Sequence, residues 1–131
     1  MFRRMLMAGA VALGLAGAAA PASAQPVDIQ FWHGLTQPLG GMLEQIAADF
    51  NATQNQYRIQ ASFRGAYPET MVAAIAAFRA SQAPHIVQMF EVGTGTMMAA
   101  GRAIKPLHEL LAETNTRIDF SDYLPGVRGY Y

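Results

Sequence analysis

The side chains best equipped for chemistry cluster at three places, each just after a run of alternating or continuous apolar residues. Trp32 and His33 close the first run, Arg64-Gly65-Ala66-Tyr67 follows the second, and Glu91 with Gly93-Thr94-Gly95-Thr96 follows the third. Together they supply two aromatics, an imidazole, a guanidinium, a carboxylate and a Gly/Thr turn. Such a set suits a small polar ligand, whose carbon face packs on the rings while Glu91 accepts hydrogen bonds from hydroxyls. Each residue also has a plainer reading. Trp32 serves equally as core, Glu91 as a cap and the Gly/Thr run as a simple turn or as an anion cradle. Tyr67, directly after a glycine turn, reads as a ligand contact. His33 is the weakest catalytic candidate, because it has no spaced Asp or Ser partner.

The sequence argues against catalysis. It contains no G-x-S-x-G elbow, no H-E-x-x-H pair and no complete G-x-G-x-x-G. His33, His85 and His108 are too scattered to suggest a metal set, and cysteine is absent. No enzyme, metal or cofactor is expected. Met97 and Met98 are expected in the core.

The elements that must position these residues are legible as changes of period. Val27, Ile29 and Phe31 alternate with polar neighbours, which predicts a strand over residues 27–33. Leu43, Ile46, Ala47 and Phe50 then recur at helical spacing over residues 39–51, and the polar run from Asn51 ends that helix. Alternation returns over residues 57–63. Pro68 opens a helix reaching about Ala80, with Met71, Ile75 and Phe78 as its core stripe. Residues 85–90 read as a third strand, buried and parallel. A short helix through Met97 stops near Gly101, and Pro106 opens another through Leu107, Leu110 and Leu111. After Asn115 the pattern weakens. The order β-α-β-α-β-α-α implies an α/β fold, a parallel sheet with helices on both faces. In such sheets ligands bind outside the carboxyl ends of the strands, where all three clusters fall.

Nine basic residues balance nine acidic ones among 131. Nucleic-acid binding needs a basic face and is not expected. Arg3 and Arg4, an apolar run over residues 5–20 and Pro21-Ala22-Ser23-Ala24 read together as a secretory signal peptide cleaved after Ala24. The run is too short and too rich in Ala and Gly for a spanning helix. Its removal takes two arginines away and leaves a slightly acidic chain, exported to the periplasm.

Several segments taken together resemble a known family. They are Phe31-Trp32-His33, Phe63-Arg64-Gly65-Ala66-Tyr67, Ile75-Ala76-Ala77-Phe78-Arg79, Glu91-Val92-Gly93-Thr94-Gly95-Thr96-Met97-Met98-Ala99, Ala103-Ile104-Lys105-Pro106 and Gly129-Tyr130-Tyr131. Their succession is similar to the N-terminal part of family 1 extracellular solute-binding proteins of ABC transporters, in the branch that takes glycerol phosphates. The resemblance implies a two-lobed, type II periplasmic-binding-protein-like fold that closes on its ligand. Residues 25–131 would then be part of the N-terminal lobe of a longer protein. It further implies capture of sn-glycerol 3-phosphate, or of glycerophosphodiesters, and delivery to an inner-membrane ABC permease with its ATPase subunits. Tyr67 and Glu91 match the family's ligand positions, with Glu91 on the glycerol hydroxyls. Arg64 is not assigned to the phosphate. A sugar- or polyol-binding member, an inert truncated fragment and, last, a secreted α/β hydrolase are the competing expectations.

Overall fold

The computed structural model describes residues 25–129. The leader assigned to residues 1–24, and Tyr130 and Tyr131, lie outside them. Strand β1, Val27–His33, pairs in parallel with β2, Tyr57–Phe63, in an unbroken register from Val27↔Tyr57 to His33↔Phe63. Strand β3, Ile86–Val87, pairs in parallel on the other side of β1, opposite Phe31 and Trp32. The sheet order is β2-β1-β3, with β1 in the centre. This is the α/β arrangement with a parallel sheet that the alternation of periods predicts.

Strand β3 is shorter than the apolar run over residues 85–90. One bond on each side extends the pairing, from His85 N–H to the Gln30 carbonyl (3.1 Å) and from Gln88 N–H to the Trp32 carbonyl (2.8 Å). Beyond Val87 the Gln88 side chain accepts from Gly34 N–H at 3.2 Å, while Phe90 packs against Tyr67. Those contacts hold the backbone away from the ladder.

Helix α1, Leu39–Thr53, buries Gly40 and Ala47. The predicted stripe holds at buried Ala47 and half-buried Leu43 but is rotated at its other edge, where Ile46 is 63% exposed and Phe50 41%. Two contacts fix the rotation. A side chain at Gly40 would strike the Leu35 carbonyl oxygen at 2.5 Å, so this face sits hard against backbone. Asn51, inside the helix rather than ending it, donates to the Ile59 carbonyl (2.9 Å) and accepts from Ile59 N–H (2.8 Å). It thereby satisfies the two backbone groups that Ile59 presents at the open edge of β2.

Helix α2, Tyr67–Arg79, starts one residue ahead of Pro68, with Pro68 in its first turn. The turn before it uses Gly65 at φ +92°, where a side chain would be strained and would meet Glu69 Cβ at 2.6 Å. Thr70 is fully buried, and its hydroxyl bonds the Gly65 and His33 carbonyls at 3.0 and 3.3 Å. Phe78, expected in the core, is 46% exposed. The His33 ring lies against α1, and Gly34 lies against Tyr67 of α2. Neighbouring strand residues point to opposite faces, so α1 and α2 cover opposite faces of the sheet.

A 3₁₀ turn, Glu91–Gly93, leads directly into α3, Thr94–Ala99. Gly101, at φ +54°, follows that helix's end. Helix α4, Leu107–Thr114, closes on Asn115 in the left-handed region. A 3₁₀ turn, Phe120–Asp122, and the single turn α5, Pro125–Arg128, complete the described chain. Among the described residues, no helix is long and apolar enough to cross a membrane.

Candidate functional site

Parallel pairing brings the carboxyl ends of all three strands to one edge. Tyr67 stands at its centre. The first position of α2 holds its backbone, and a Cβ on Gly34 would lie 2.9 Å from both Tyr67 Cδ1 and Tyr67 N. On the far side its ring stacks on Phe90, with centroids 5.5 Å apart and planes within 6°. The ring is thus clamped between the end of β1 and the segment after β3. Its hydroxyl makes no hydrogen bond within the described residues. Glu91 follows Phe90 directly, is exposed and enters none of the ion pairs among the described residues. The structure therefore brings Tyr67 and the backbone carrying Glu91 to one place.

Trp32 is half-buried, and the Arg64 guanidinium lies over its ring at 4.3 Å from the centroid. That stack occupies one face of the indole, while the ring N–H is buried with no partner. Trp32 thus acts as a platform for Arg64. Backbone N–H of Arg64 donates to the His33 carbonyl at 3.0 Å, which carries the pairing of β2 with β1 past the strand end.

His33 is not in this crevice. Its ring is 0% exposed and lies under α1, between Phe31 and Phe63 at 6.4 and 5.9 Å. Nε2 comes within 3.7 Å of Glu44 Oε1, too far for a hydrogen bond, and neither ring nitrogen has a hydrogen-bond partner. Strand alternation is the reason, because Trp32 and His33 must face opposite ways. Gly93-Thr94-Gly95-Thr96 is not a free loop either. It is the end of a 3₁₀ turn and the first turn of a short helix. Gly93 is buried, and a side chain there would meet Met89 and Met71 sulfurs at 3.0 and 3.2 Å, so its role is packing. Met97 is half-buried, but Met98 is 79% exposed.

Gly34, Phe90 and Thr70 were not apparent as site-shaping residues from residue type. The signal for Thr70 was its spacing, three residues after Tyr67 on the inward face of α2. No group of three or more metal-ligating side chains exists among the described residues. Charge is settled at the opposite end of the sheet. There Arg58 holds Asp28 through bonds of 2.7 and 3.0 Å, keeping that carboxyl below its usual range. A larger cleft of about 910 Å³ opens elsewhere, between α2, β3 and α4, lined by Ile75, Phe78, Val87, Met97, Ile104 and Leu110 among others. Its apolar walls make it an uncovered packing face rather than a polar-ligand site.

No family model matches the chain. It is 45% identical over 104 residues to the sn-glycerol-3-phosphate-binding periplasmic protein UgpB of Rhizobium meliloti, covering 79% of this chain and 24% of that protein. The protein of the same name from Brucella suis is 38% identical over 131 residues, covering 100% of this chain and 30% of the relative. That from Escherichia coli O1:K1 is 44% identical over 125 residues, covering 95% and 28%. The chain thus spans under a third of the length of these curated relatives. Over its own length it is a homologue of the sn-glycerol-3-phosphate-binding periplasmic proteins.

Proposed function

We propose that the chain contributes the N-terminal ligand-binding surface of a periplasmic solute-binding protein for sn-glycerol 3-phosphate or its diesters. In this reading residues 1–24 direct export, and residues 25–131 are part of one lobe of a two-lobed, type II fold. A second lobe closes on the ligand, and the complex is presented to an inner-membrane permease with its ATPase subunits. The protein carries out no reaction on its ligand. Supporting this are the names of its relatives, each a periplasmic sn-glycerol-3-phosphate-binding protein. The carrying observation is the clamped Tyr67 ring stacked on the residue next to exposed Glu91. Glu91 accepts hydrogen bonds from the glycerol hydroxyls, since a carboxylate repels phosphate. Tyr67 offers its ring to the carbon backbone and its hydroxyl to the ligand.

The test is a chimera in which this chain replaces the matching 131 residues of the Brucella suis relative. Calorimetry should show binding of sn-glycerol 3-phosphate. Glu91→Ala should weaken it by about 1.5–3 kcal/mol, the range for a hydrogen bond to a charged group. Unchanged affinity in that variant would remove Glu91 from the site. A folded chimera that ignores the ligand would remove the reading.

A further inference from the structure

A carboxylate at the ligand edge creates an electrostatic difficulty. Glu91 suits hydroxyls but opposes the approach of an anion to the same edge. Strand β2 bears two arginines, one near its start and one just past its end, and the structure treats them differently. Arg58 is neutralised by Asp28 through two hydrogen bonds. Arg64 is exposed, and none of the ion pairs among the described residues includes it. Its guanidinium is nevertheless held in place, 4.3 Å above the Trp32 ring. A contact of this kind uses the cation's face and leaves its in-plane N–H groups available. Those donors match an anionic oxygen pair in shape and charge.

We propose that Arg64 is the residue of this edge that selects an anionic ligand over a neutral polyol. The inference rests on the solute-capture reading above and deepens it. The strand order β2-β1-β3 sets Arg64, just past β2, and Glu91, after β3, on opposite sides of the end of β1, where Tyr67 packs against Gly34. An anionic polyol therefore lies across Tyr67 with its charged end toward β2 and its hydroxyls toward β3. Arg64 acts on approach as well as in the complex, so its contribution is sensitive to salt.

The experiment uses the same chimera with Arg64→Gln and Arg64→Lys, and two probes, sn-glycerol 3-phosphate and glycerol. At low ionic strength Arg64→Gln should weaken sn-glycerol 3-phosphate on the order of tenfold, mostly through slower association. Added sodium chloride should narrow that gap. Glycerol affinity, read by competition, should stay within about twofold, because a neutral ligand does not respond to the lost charge. Arg64→Lys should retain most of the selectivity. It keeps the proposal testable should the glutamine variant fold poorly. Equal affinity for sn-glycerol 3-phosphate in Arg64→Gln, or an equal loss for both probes, would overturn the assignment while leaving the capture reading intact. If the folded wild-type chimera binds no sn-glycerol 3-phosphate, the capture reading falls and this assignment with it.

Discussion

At the residue scale, the proposed ligand capture depends on how rigidly Tyr67 is presented. The side chain packs on Phe90 and against Gly34, and the less obvious of these is a residue with no side chain. Gly34 lets the end of β1 approach the first turn of α2 so closely that a Cβ would fall 2.9 Å from Tyr67 N and 3.0 Å from Tyr67 Cα. Both are backbone atoms, so no rotamer change relieves the clash. Gly34→Ala must push the start of α2 away from β1, at a cost of about 1–3 kcal/mol as overpacking. In the chimera we expect a lower melting temperature and weaker ligand binding together, because the displaced helix carries Tyr67 with it. Unaltered affinity would mean that Tyr67 tolerates the shift and contributes little. The sequence signalled this site unevenly for a physical reason. Tyr67 and Glu91 stand out as candidates because residues after parallel strands converge on one edge. Gly34 and Phe90 do not, because their roles lie in contacts across the fold. His33, the weakest of the candidates, is structural because adjacency to Trp32 in the strand places it on the opposite face.

At the element scale, β1 and β2 follow their alternation closely, and all seven residues of each pair in register. The rotation of α1 follows its apolar stripe only in part, at Leu43 and Ala47. Ile46 and Phe50 are larger and more apolar than Gly40 and Asn51, yet the latter face the sheet. Close approach and hydrogen-bond satisfaction outweigh the apolar spacing here, and neither is visible in a periodicity. Strand β3 departs for a related reason, since an apolar run records burial but not where pairing stops. Asn51 gives the clearest element-scale prediction. Asn51→Ala removes both side-chain bonds to Ile59 and reopens the outer edge of β2. Denaturant unfolding of the chimera should show a loss of about 1–2 kcal/mol. Hydrogen exchange of the Ile59 amide should accelerate more than that of amides inside the β1–β2 ladder. An unchanged midpoint with a still-protected Ile59 amide would show that water replaces the asparagine without cost.

At the scale of the whole molecule, the balance between closed and open surface decides what the chain can do alone. Ala47 is the only buried hydrophobic residue among those described. Phe78, Ile104 and Leu110 remain 46%, 43% and 44% exposed around the cleft beside α4. That face is contiguous and apolar, and it adjoins β3, whose second edge has no strand partner among the described residues. An isolated domain with so little enclosed core has weak resistance to chain entropy. Residues 25–131 expressed alone should therefore melt broadly, bind a hydrophobic dye before heating and associate more as concentration rises. The same residues within the chimera should melt sharply, because the relative's remaining chain is available to cover α2, β3 and α4. The contrast between the two melts is the informative quantity. A sharp, concentration-independent melt of the isolated segment without dye binding would show that the exposed apolar face is tolerated as surface. The segment would then not depend on further chain to fold, and the proposed ligand capture could be measured on it directly.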